Sequence, residues 1–402
     1  MKTTLLLCSA LTGATVLPLA AAEPASLADA FTQGKVSLNA RLRYEGVQQT
    51  GLRDAEALTL RTRLGFTTAP LNGWKAMIEA ENIIAADGDR YSQSGLNPGG
   101  AGRAVIADPE ITELNQAFIA FTSGKTAVTV GRQRLVLDNA RFVGDVGWRQ
   151  NMQTFDAVVL QDKSVDQATF TYAYLHSINR VFSRRHPQGR WNSDSHVLNA
   201  SYAGLPAGTL TGYAYLLDFN NSAANSCATY GLSFAGATKL TDPFKFTYRA
   251  EFAQQSDYGS SALNYSASYY DLEAGLAAKQ GSFTLGYEVL GSDHNVGFKT
   301  PLATLHAFNG WADLFLATPA AGLRDSYVKA TVNLPAALSL LAFEHWYAAD
   351  TTGTRLGSEF NLQLSRKFGK FVTGLVKYAD FRRDSTSFPN VQKIWVQVEF
   401  AR

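Results

Sequence analysis

The sequence predicts an all-β protein, a transmembrane antiparallel up-and-down barrel of about 18 strands with long extracellular loops and short periplasmic turns. Two observations carry this prediction: apolar and polar residues alternate along many segments, and those segments are long. The run FKFTYRAEF at 244–252 shows the alternation most clearly. A period of two gives a strand one apolar face and one polar face.

The same alternation recurs at 35–44, 58–66, 270–276, 283–289 and 393–400. These segments run about nine to eleven residues, which is the length a tilted strand needs to cross a bilayer. Strands of soluble proteins are shorter, about five or six residues. A soluble sandwich would show the same alternation, but it needs neither this length nor so aromatic an apolar face. A closed barrel alone satisfies every backbone group in lipid without leaving an edge.

The strand count is good to about two, because segments 114–121 and 338–347 are ambiguous. An even number returns both chain ends to the periplasm.

The N-terminus has the pattern of a secretory signal. Lys2 precedes an apolar run at 3–19, and three alanines follow at 20–22. We therefore assign 1–22 to a signal peptide and 23–402 to one domain, with the barrel at about 35–400. Lipidation at Cys8 is disfavoured because Leu7 is too large for that cleavage. Cys227 is then the single cysteine of the mature chain, which excludes an internal disulfide.

Composition narrows the class further. Charged residues make up 17% of the chain, below the roughly 25% usual in soluble domains. The 36 basic and 34 acidic residues nearly balance, which argues against a nucleic-acid partner. After the signal, the chain has no apolar stretch of the length that a membrane helix requires. These features indicate a barrel surrounded by the lipids of a bacterial outer membrane.

The last strand ends in Phe400, two residues from the end of the sequence. Outer-membrane barrels end in an aromatic residue that the barrel-assembly machinery reads, so we expect that machinery as a partner. Ala401 and Arg402 depart from this pattern. An ordinary edge strand ending in Phe is the alternative.

Turns and loops give an orientation. Segments 205–208, 241–243 and 334–337 carry turn chemistry and suit the periplasmic rim. Longer polar segments at 85–108, 138–152, 180–193 and 291–323 suit the outside. The apolar segment 302–316, which contains His306, Trp311 and Phe315, predicts a plug inside the pore or a lid over it.

Arginines on the polar phase of their strands carry the functional prediction. Because an arginine at mid-depth in lipid costs about 2–4 kcal/mol, this phase should face the lumen. Basic rings in a pore favour anions, and a guanidinium binds a carboxylate with two parallel hydrogen bonds. These lumen arginines are Arg41, Arg43, Arg61, Arg63 and Arg249.

Acidic residues occupy the same phase: Glu79, Glu81, Glu251, Asp271, Glu273 and Glu288. The alternative is therefore that the charges pair across the lumen and merely fill the pore.

The stretch GRQRLVLDNARFVGDVGWRQNMQTFDA at 131–157 is too polar to face lipid. It resembles a block of the alginate-export family of outer-membrane barrels, and NGWAD at 309–313 looks like a second block of that family. The resemblance implies a barrel of about 18 strands whose arginine-lined lumen passes an anionic polysaccharide such as alginate. It also implies a substrate path through Arg132, Arg134, Arg141 and Arg149, with Asp138, Asp145 and Asp156 orienting them.

The strand phase of Arg132 requires a bulge or a strand end, because Val128 and Val130 share it. Together with these residues, the predicted path contains the five lumen arginines and Glu251. A general or small-carboxylate uptake porin is the alternative function.

An enzyme or a plugged structural barrel is a weaker alternative. The six histidines are His176, His186, His196, His294, His306 and His345. No G-x-S-x-G or H-E-x-x-H motif accompanies them, so we predict no catalytic residue and no cofactor. Asp87 and Asp89 hint at a Ca²⁺ loop, but Ca²⁺ needs six or more oxygens, and a hairpin tip explains them better. Without a distinct loop for latching a neighbour, we expect a monomer.

Overall fold

A computed structural model describes residues 24–402. The predicted signal peptide at 1–22 lies outside the described residues. Helix α1, Leu27–Thr32, begins where the Asp29 amide donates to the Ser26 hydroxyl at 3.1 Å, which caps the helix N-terminus. Between residues 24 and 402, no helix is both long enough and apolar enough to span a bilayer.

Eighteen strands build the wall, which agrees with the predicted number. The first nine are β1 (Lys35–Gln49), β2 (Ala55–Thr67), β3 (Trp74–Ala85), β4 (Ile111–Ser123), β5 (Thr126–Gln133), β6 (Thr154–Asp162), β7 (Ala168–Asn179), β8 (Arg190–Leu205) and β9 (Gly208–Leu217). The other nine are β10 (Cys227–Thr241), β11 (Phe244–Ser256), β12 (Ser266–Ala278), β13 (Gly281–Leu290), β14 (Leu323–Leu334), β15 (Leu338–Ala348), β16 (Arg355–Phe368), β17 (Val372–Arg383) and β18 (Val391–Ala401). Both ambiguous segments form strands, β4 and β15.

Each strand pairs antiparallel with the next, and the sheet closes on itself. The last strand β18 pairs with β1 from Asn39↔Ala401 to Gln49↔Val391. This pairing of the first and last strands leaves no open edge, so the backbone groups of the wall bond to one another and need no water in the lipid layer.

The alternation of side chains is inverted relative to a soluble protein. Leu42, Leu64 and Leu272 are exposed on the outer face, while Arg43 and Arg61 are fully buried inside. The pairings Arg41↔Arg61 and Leu42↔Leu60 show that each pair shares a face. An apolar exterior and a charged interior identify the outer face as the one that lipid solvates.

The two rims differ as predicted. The short turns at 206–207, 242–243 and 335–337 lie on the rim that also carries both chain ends. The opposite rim carries the long loops L2 (86–110), L3 (134–153), L4 (180–189) and L7 (291–322). Small elements within or between these loops are 3₁₀ turns at Gly88–Arg90, Pro98–Gly100, Ala223–Asn225 and Leu305–Ala307, and a hairpin of Ser292–Asp293 with Val296–Gly297.

Two loops fold into the barrel. Phe142 of L3 lies 5.2 Å from the rings of Tyr213 and Tyr269, on the inner faces of β9 and β12. Trp311 of L7 joins a cluster with Trp395 of β18. Of the two arrangements expected for segment 302–316, a plug or a lid, the structure shows the loop folded inward, and L3 does the same.

Candidate functional site

Four neighbouring strands, β17, β18, β1 and β2, place basic side chains on the inner face of the barrel. We call this set the basic arc: Arg41, Arg43, Arg61, Arg63, Lys377 and Lys393. The four arginines lie in the predicted lumen phase. The two lysines were missed, although the same alternation along β17 and β18 was available to find them.

The basic arc holds loop L3 through its backbone. The Arg41 guanidinium donates to the carbonyls of Gly147 and Trp148, both at 3.1 Å. Arg43 donates to the Trp148 carbonyl at 2.6 Å, and Arg63 donates to that of Gln150 at 3.1 Å. Hydrogen bonds from charged donors are stronger than neutral ones, so these arginines fix the inner end of L3 against the wall.

Carboxylates on the same wall offset part of this charge. Glu399 accepts from both Arg41 and Arg61 at 3.1 Å, and Glu81 pairs with Arg63. Much of the charge of the basic arc is therefore paired within the lumen, as the alternative of pairing charges predicted.

Loop L7 meets L3 above the basic arc. The His306 ring stacks on Trp148 with centroids 4.6 Å apart. Lys377 Nζ lies 2.7 Å from His306 Nε2 and 3.6 Å from the Trp311 ring centroid. A cation over an aromatic face is attracted by the ring quadrupole, so Lys377 joins the two loops to β17.

Asp313 is the charged centre of this contact. It accepts from Lys393 at 2.8 Å and from Arg149 at 2.9 Å, and its other oxygen lies 2.7 Å from His306 Nδ1. Burial alone would raise the pKa of this carboxyl, but the hydrogen bond from His306 and the charges of Lys393 and Arg149 hold it well below its usual range. The pKa of His306 is lowered well below its usual value by burial. The imidazole is therefore neutral, and Lys377 donates to its Nε2.

Strands β11–β16 form a contrasting acidic arc. Its members are Glu251, Asp271, Glu273, Glu288, Asp325 and Glu359, all on the inner face. Arg249 pairs with Glu251 and, at 3.1 Å, with Asp271. Tyr213 donates to Glu251 at 2.7 Å.

Both family-like blocks connect to the acidic arc. Arg141 of the first block donates to Glu288 at 2.6 Å and to the Asn309 side chain at 3.0 Å. Asn309 of the second block donates to Glu288 at 2.6 Å. Since Arg149 and Asp313 also pair, the two blocks bind each other inside the lumen and tie both arcs together.

The remaining residues of the predicted path fall in different places. Arg134, half exposed at the start of L3, donates from Nε to Asp145 at 2.8 Å, as the resemblance implied. Asp138 accepts from Asn199 at 2.8 Å, so it contacts an amide and does not orient an arginine.

The placement of Arg132 and Asp156 corrects an expectation. They form an ion pair at 2.7 Å. In the pairing of β5 with β6, they lie on the same face of the sheet as Val130 and Val158. Those valines are exposed on the lipid-facing side. Arg132 stands at the end of β5, but no change of phase turns it inward, so this pair lies on the outer face and not along the lumen.

The periplasmic mouth carries charge that the sequence alone did not reveal. We consider the last three residues of each strand at the periplasmic rim. Those that face inward include five lysines: Lys35, Lys75, Lys239, Lys245 and Lys367. All five are exposed. Glu399 also lies in this zone, but it is already bonded to the basic arc. One of the five, Lys239, pairs at 2.8 Å with Asp242 of the neighbouring turn. Aligning the ends of all strands would have shown this ring of lysines.

The weak metal candidate has a structural explanation. The Asp87 carboxylate accepts from the Asp89 amide at 3.1 Å and caps the 3₁₀ turn that follows. Across residues 24–402, no group of three or more His, Cys, Asp or Glu side chains is placed to hold a metal ion.

Comparison with known proteins gives a consistent picture. A profile of the alginate export family matches residues 33–273, which is more than half of the chain. The search of curated proteins found no match. Among solved structures, OccAB4 of Acinetobacter baumannii superposes with a TM-score of 0.73 at 13% identity, covering 92% of this chain and 98% of that one. OccK9 (OpdG) of Pseudomonas aeruginosa gives 0.72 at 15% identity, covering 93% and 100%.

A third structure, OccK1 (OpdK) of Pseudomonas aeruginosa, gives 0.73 at 12% identity over 92% and 99% of the two chains. At these identities the likeness establishes the fold. With the lipid-facing exterior and the charged lumen, these findings place the protein in the bacterial outer membrane as a channel. The chain belongs to the alginate export family.

Proposed function

We propose that the channel passes anionic solutes by passive diffusion, and that an anionic polysaccharide such as alginate enters it from the periplasm. The ring of five exposed lysines at the periplasmic mouth carries this proposal. A mouth lined with one sign of charge raises the local concentration of the opposite ion. A chain with a carboxylate on every sugar would gain from several lysines at once.

The basic arc supports the next step of the path. Among the described residues, the Arg61 Nε and NH1 atoms have no hydrogen-bond partner. Arg43 NH1 lacks one too and reaches Asp108 only at 3.7 Å. A buried donor without a partner is costly, and a carboxylate would satisfy it once the side chains that cover these two arginines move aside.

Uptake of small carboxylates is the second candidate. It is favoured by L3 and L7, which meet in the lumen and narrow it, because a narrow path suits a small solute better than a polymer. The solute path involves no bond-making in either case.

Planar-bilayer recording of the refolded protein tests the proposal. We expect oligo-uronates added on the periplasmic side to block the current, and Arg61→Gln to weaken the block by at least about tenfold, since one hydrogen bond to a charged group is worth about 1.5–3 kcal/mol. Arg366→Gln is the matched control, because Arg366 lies on the outer face over the Phe368 ring. Block by small carboxylates without block by oligo-uronates would favour the uptake function. Absence of both would refute an anion path.

A further inference from the structure

Loop L4 and its flanks are unusually basic. The run RVFSRRHPQGR at 180–190 holds four arginines and one histidine without an acidic residue. The lumen contacts described above do not involve these side chains. Their position on the wall gives them a different environment.

The wall has a notch beside L4. The ladder between β4 and β5 covers Ala117–Ser123, although β4 itself begins at Ile111. β5 is the shortest barrel strand, because the chain leaves the wall after Gln133 and turns into the lumen as L3. Residues 111–116 of β4 therefore have no partner on the β5 side, and they border a gap in the wall. Arg132 reaches across it and donates to the Leu114 carbonyl at 3.1 Å.

A cavity of about 170 Å³ occupies this notch. Its lining includes Glu113, Leu114, Arg132, Arg180, Arg184 and Arg190. Arg190 pairs with Asn179 in the outer phase of β7 and β8, and Leu114 is exposed on the same side. The notch therefore opens outward.

The notch lies at the level of the lipid headgroups. Outward-facing aromatic residues near the extracellular strand ends, Tyr174, Tyr230, Tyr270 and Trp346 among them, mark the membrane interface. Tyr174 stands opposite Val158, and Asp156 follows two residues nearer the rim. At about 3.3 Å per residue, the notch begins about 7 Å beyond the aromatic level.

The positive charge in the notch exceeds the negative charge. Arg132 and Arg190 share the carboxylate of Asp156, at 2.7 and 3.3 Å. The Glu113 carboxylate accepts from Asn151 at 2.9 Å. Within the described part of the chain, no carboxylate forms an ion pair with Arg180, Arg184 or Arg185, although Glu113 lies close enough to Arg184 to attract it.

Arg180 is the clearest case of unmatched charge. Its guanidinium lies 3.9 Å from the Trp191 ring centroid and 4.9 Å from that of Phe182. It donates one hydrogen bond, to the Gln188 carbonyl at 3.0 Å. Burial lowers the pKa of this guanidinium to about 10. An anion in the notch would offset this desolvated charge.

We propose that the notch binds the phosphate group of an anionic glycolipid of the outer leaflet. Clustered guanidinium groups are suited to phosphate because each presents a planar pair of donors. Basic pockets at headgroup level are a known basis for recognising anionic lipids. The site opens on the outer face, and its inner end, where Glu113 accepts from Asn151 of L3, reaches towards the lumen. A bound glycolipid would therefore tie the barrel wall to its lipid surroundings from outside the solute path.

Native mass spectrometry of the detergent-purified, full-length protein titrated with diphosphorylated lipid A tests the proposal. We expect retained lipid on the wild type and an affinity at least about tenfold lower for the triple variant Arg180→Gln, Arg184→Gln, Arg190→Gln, on the scale of one lost charge-assisted contact. The control variant Lys125→Gln, Lys163→Gln, Lys279→Gln removes three charges from periplasmic turns and should bind like the wild type.

Two further arms identify the source of the phosphate. Lipid A stripped of phosphate should bind weakly, and millimolar inorganic phosphate should not displace the intact lipid. Unchanged single-channel conductance of the triple variant establishes that it has folded. Equal lipid binding by wild type and triple variant overturns the proposal, as does occupancy by inorganic phosphate or oligo-uronate with no preference for the lipid.

Discussion

The arginines of the basic arc and the arginines of the rim notch have the same chemistry but lie on opposite faces of one wall. Those of the arc donate to L3 carbonyls and to carboxylates inside the barrel. Those of the notch share one carboxylate and otherwise stand without an acidic partner among the described residues. Strand phase, more than residue type, therefore decides what an arginine does in this barrel.

The first prediction, which has the largest expected effect, concerns the ion pairs of Asp313 inside the lumen. Asp313→Ala leaves Arg149 and Lys393 without their shared carboxylate. Breaking a buried ion pair costs about 3–5 kcal/mol, so L7 should release from the basic arc. We expect the single-channel conductance to rise several-fold, together with frequent gating.

Asp350→Ala serves as the control for that experiment. Asp350 also pairs with an arginine, Arg324, at 2.8 Å, but this pair is half exposed on the rim, where ion pairs contribute little. Equal conductance of Asp313→Ala and wild type would contradict the role of L7 as an anchored constriction.

The lysine ring gives the second prediction. The triple variant Lys35→Glu, Lys75→Glu, Lys367→Glu replaces three inner-face cations at the periplasmic mouth. Because the field at the mouth changes sign, we expect the anion-to-cation permeability ratio to fall several-fold, measured from reversal potentials in a salt gradient.

Lys125→Glu, Lys163→Glu, Lys370→Glu makes the same charge change on periplasmic turns, outside the inner face of the strands. A loss of selectivity as large in this control would show that the rim charge acts as a whole and that strand phase is irrelevant at the mouth.

The pH dependence of L7 gives the third prediction. The pKa of Asp313 is held well below its usual range, so its stabilisation of the loop is present above the ordinary carboxyl pKa of about 3.9. It is lost only as pH falls through the lowered pKa. The difference in gating frequency between wild type and Asp313→Asn isolates this carboxylate from Glu359, which accepts from the Ala312 amide of L7. That difference should stay constant from pH 7 down to about pH 4. A difference that disappears between those values would show that Asp313 titrates normally.

The smallest effect is expected for Arg132→Ala. Because Arg132 faces outward with Asp156, its removal should change conductance and uronate block by less than about twofold, within the range of typical surface substitutions. Arg134→Ala, two residues along and on the inward loop, should weaken the block more. The reverse order would place Arg132 in the solute path after all.

Strand phase explains how much of the molecule the sequence could predict. Alternation alone placed Arg41, Arg43, Arg61, Arg63 and Arg249 inside, and all five lie there. The apolar composition of 302–316 predicted a plug or a lid on a different ground, because exposed aromatic residues need a surface to cover them.

The parts that could not be predicted depend on contacts between distant segments. Nothing local shows that Asp138 meets Asn199, or that Asp313 joins Arg149 across 164 residues. The phase of Arg132 was visible from its valine neighbours, but the family-like block argued for the lumen. The notch appears only when β4 and β5 are compared, because it results from their unequal length.

The most direct test of the central claim is the reversal potential of the wild-type channel in a KCl gradient across a planar bilayer. The basic arc lines the lumen, and a ring of lysines surrounds its entrance. The reversal potential should therefore have the sign that shows chloride permeating more readily than potassium, and oligo-uronates should reduce the current. A reversal potential at zero or on the cation side would contradict the account, because the charges would then serve only to hold the inward loops.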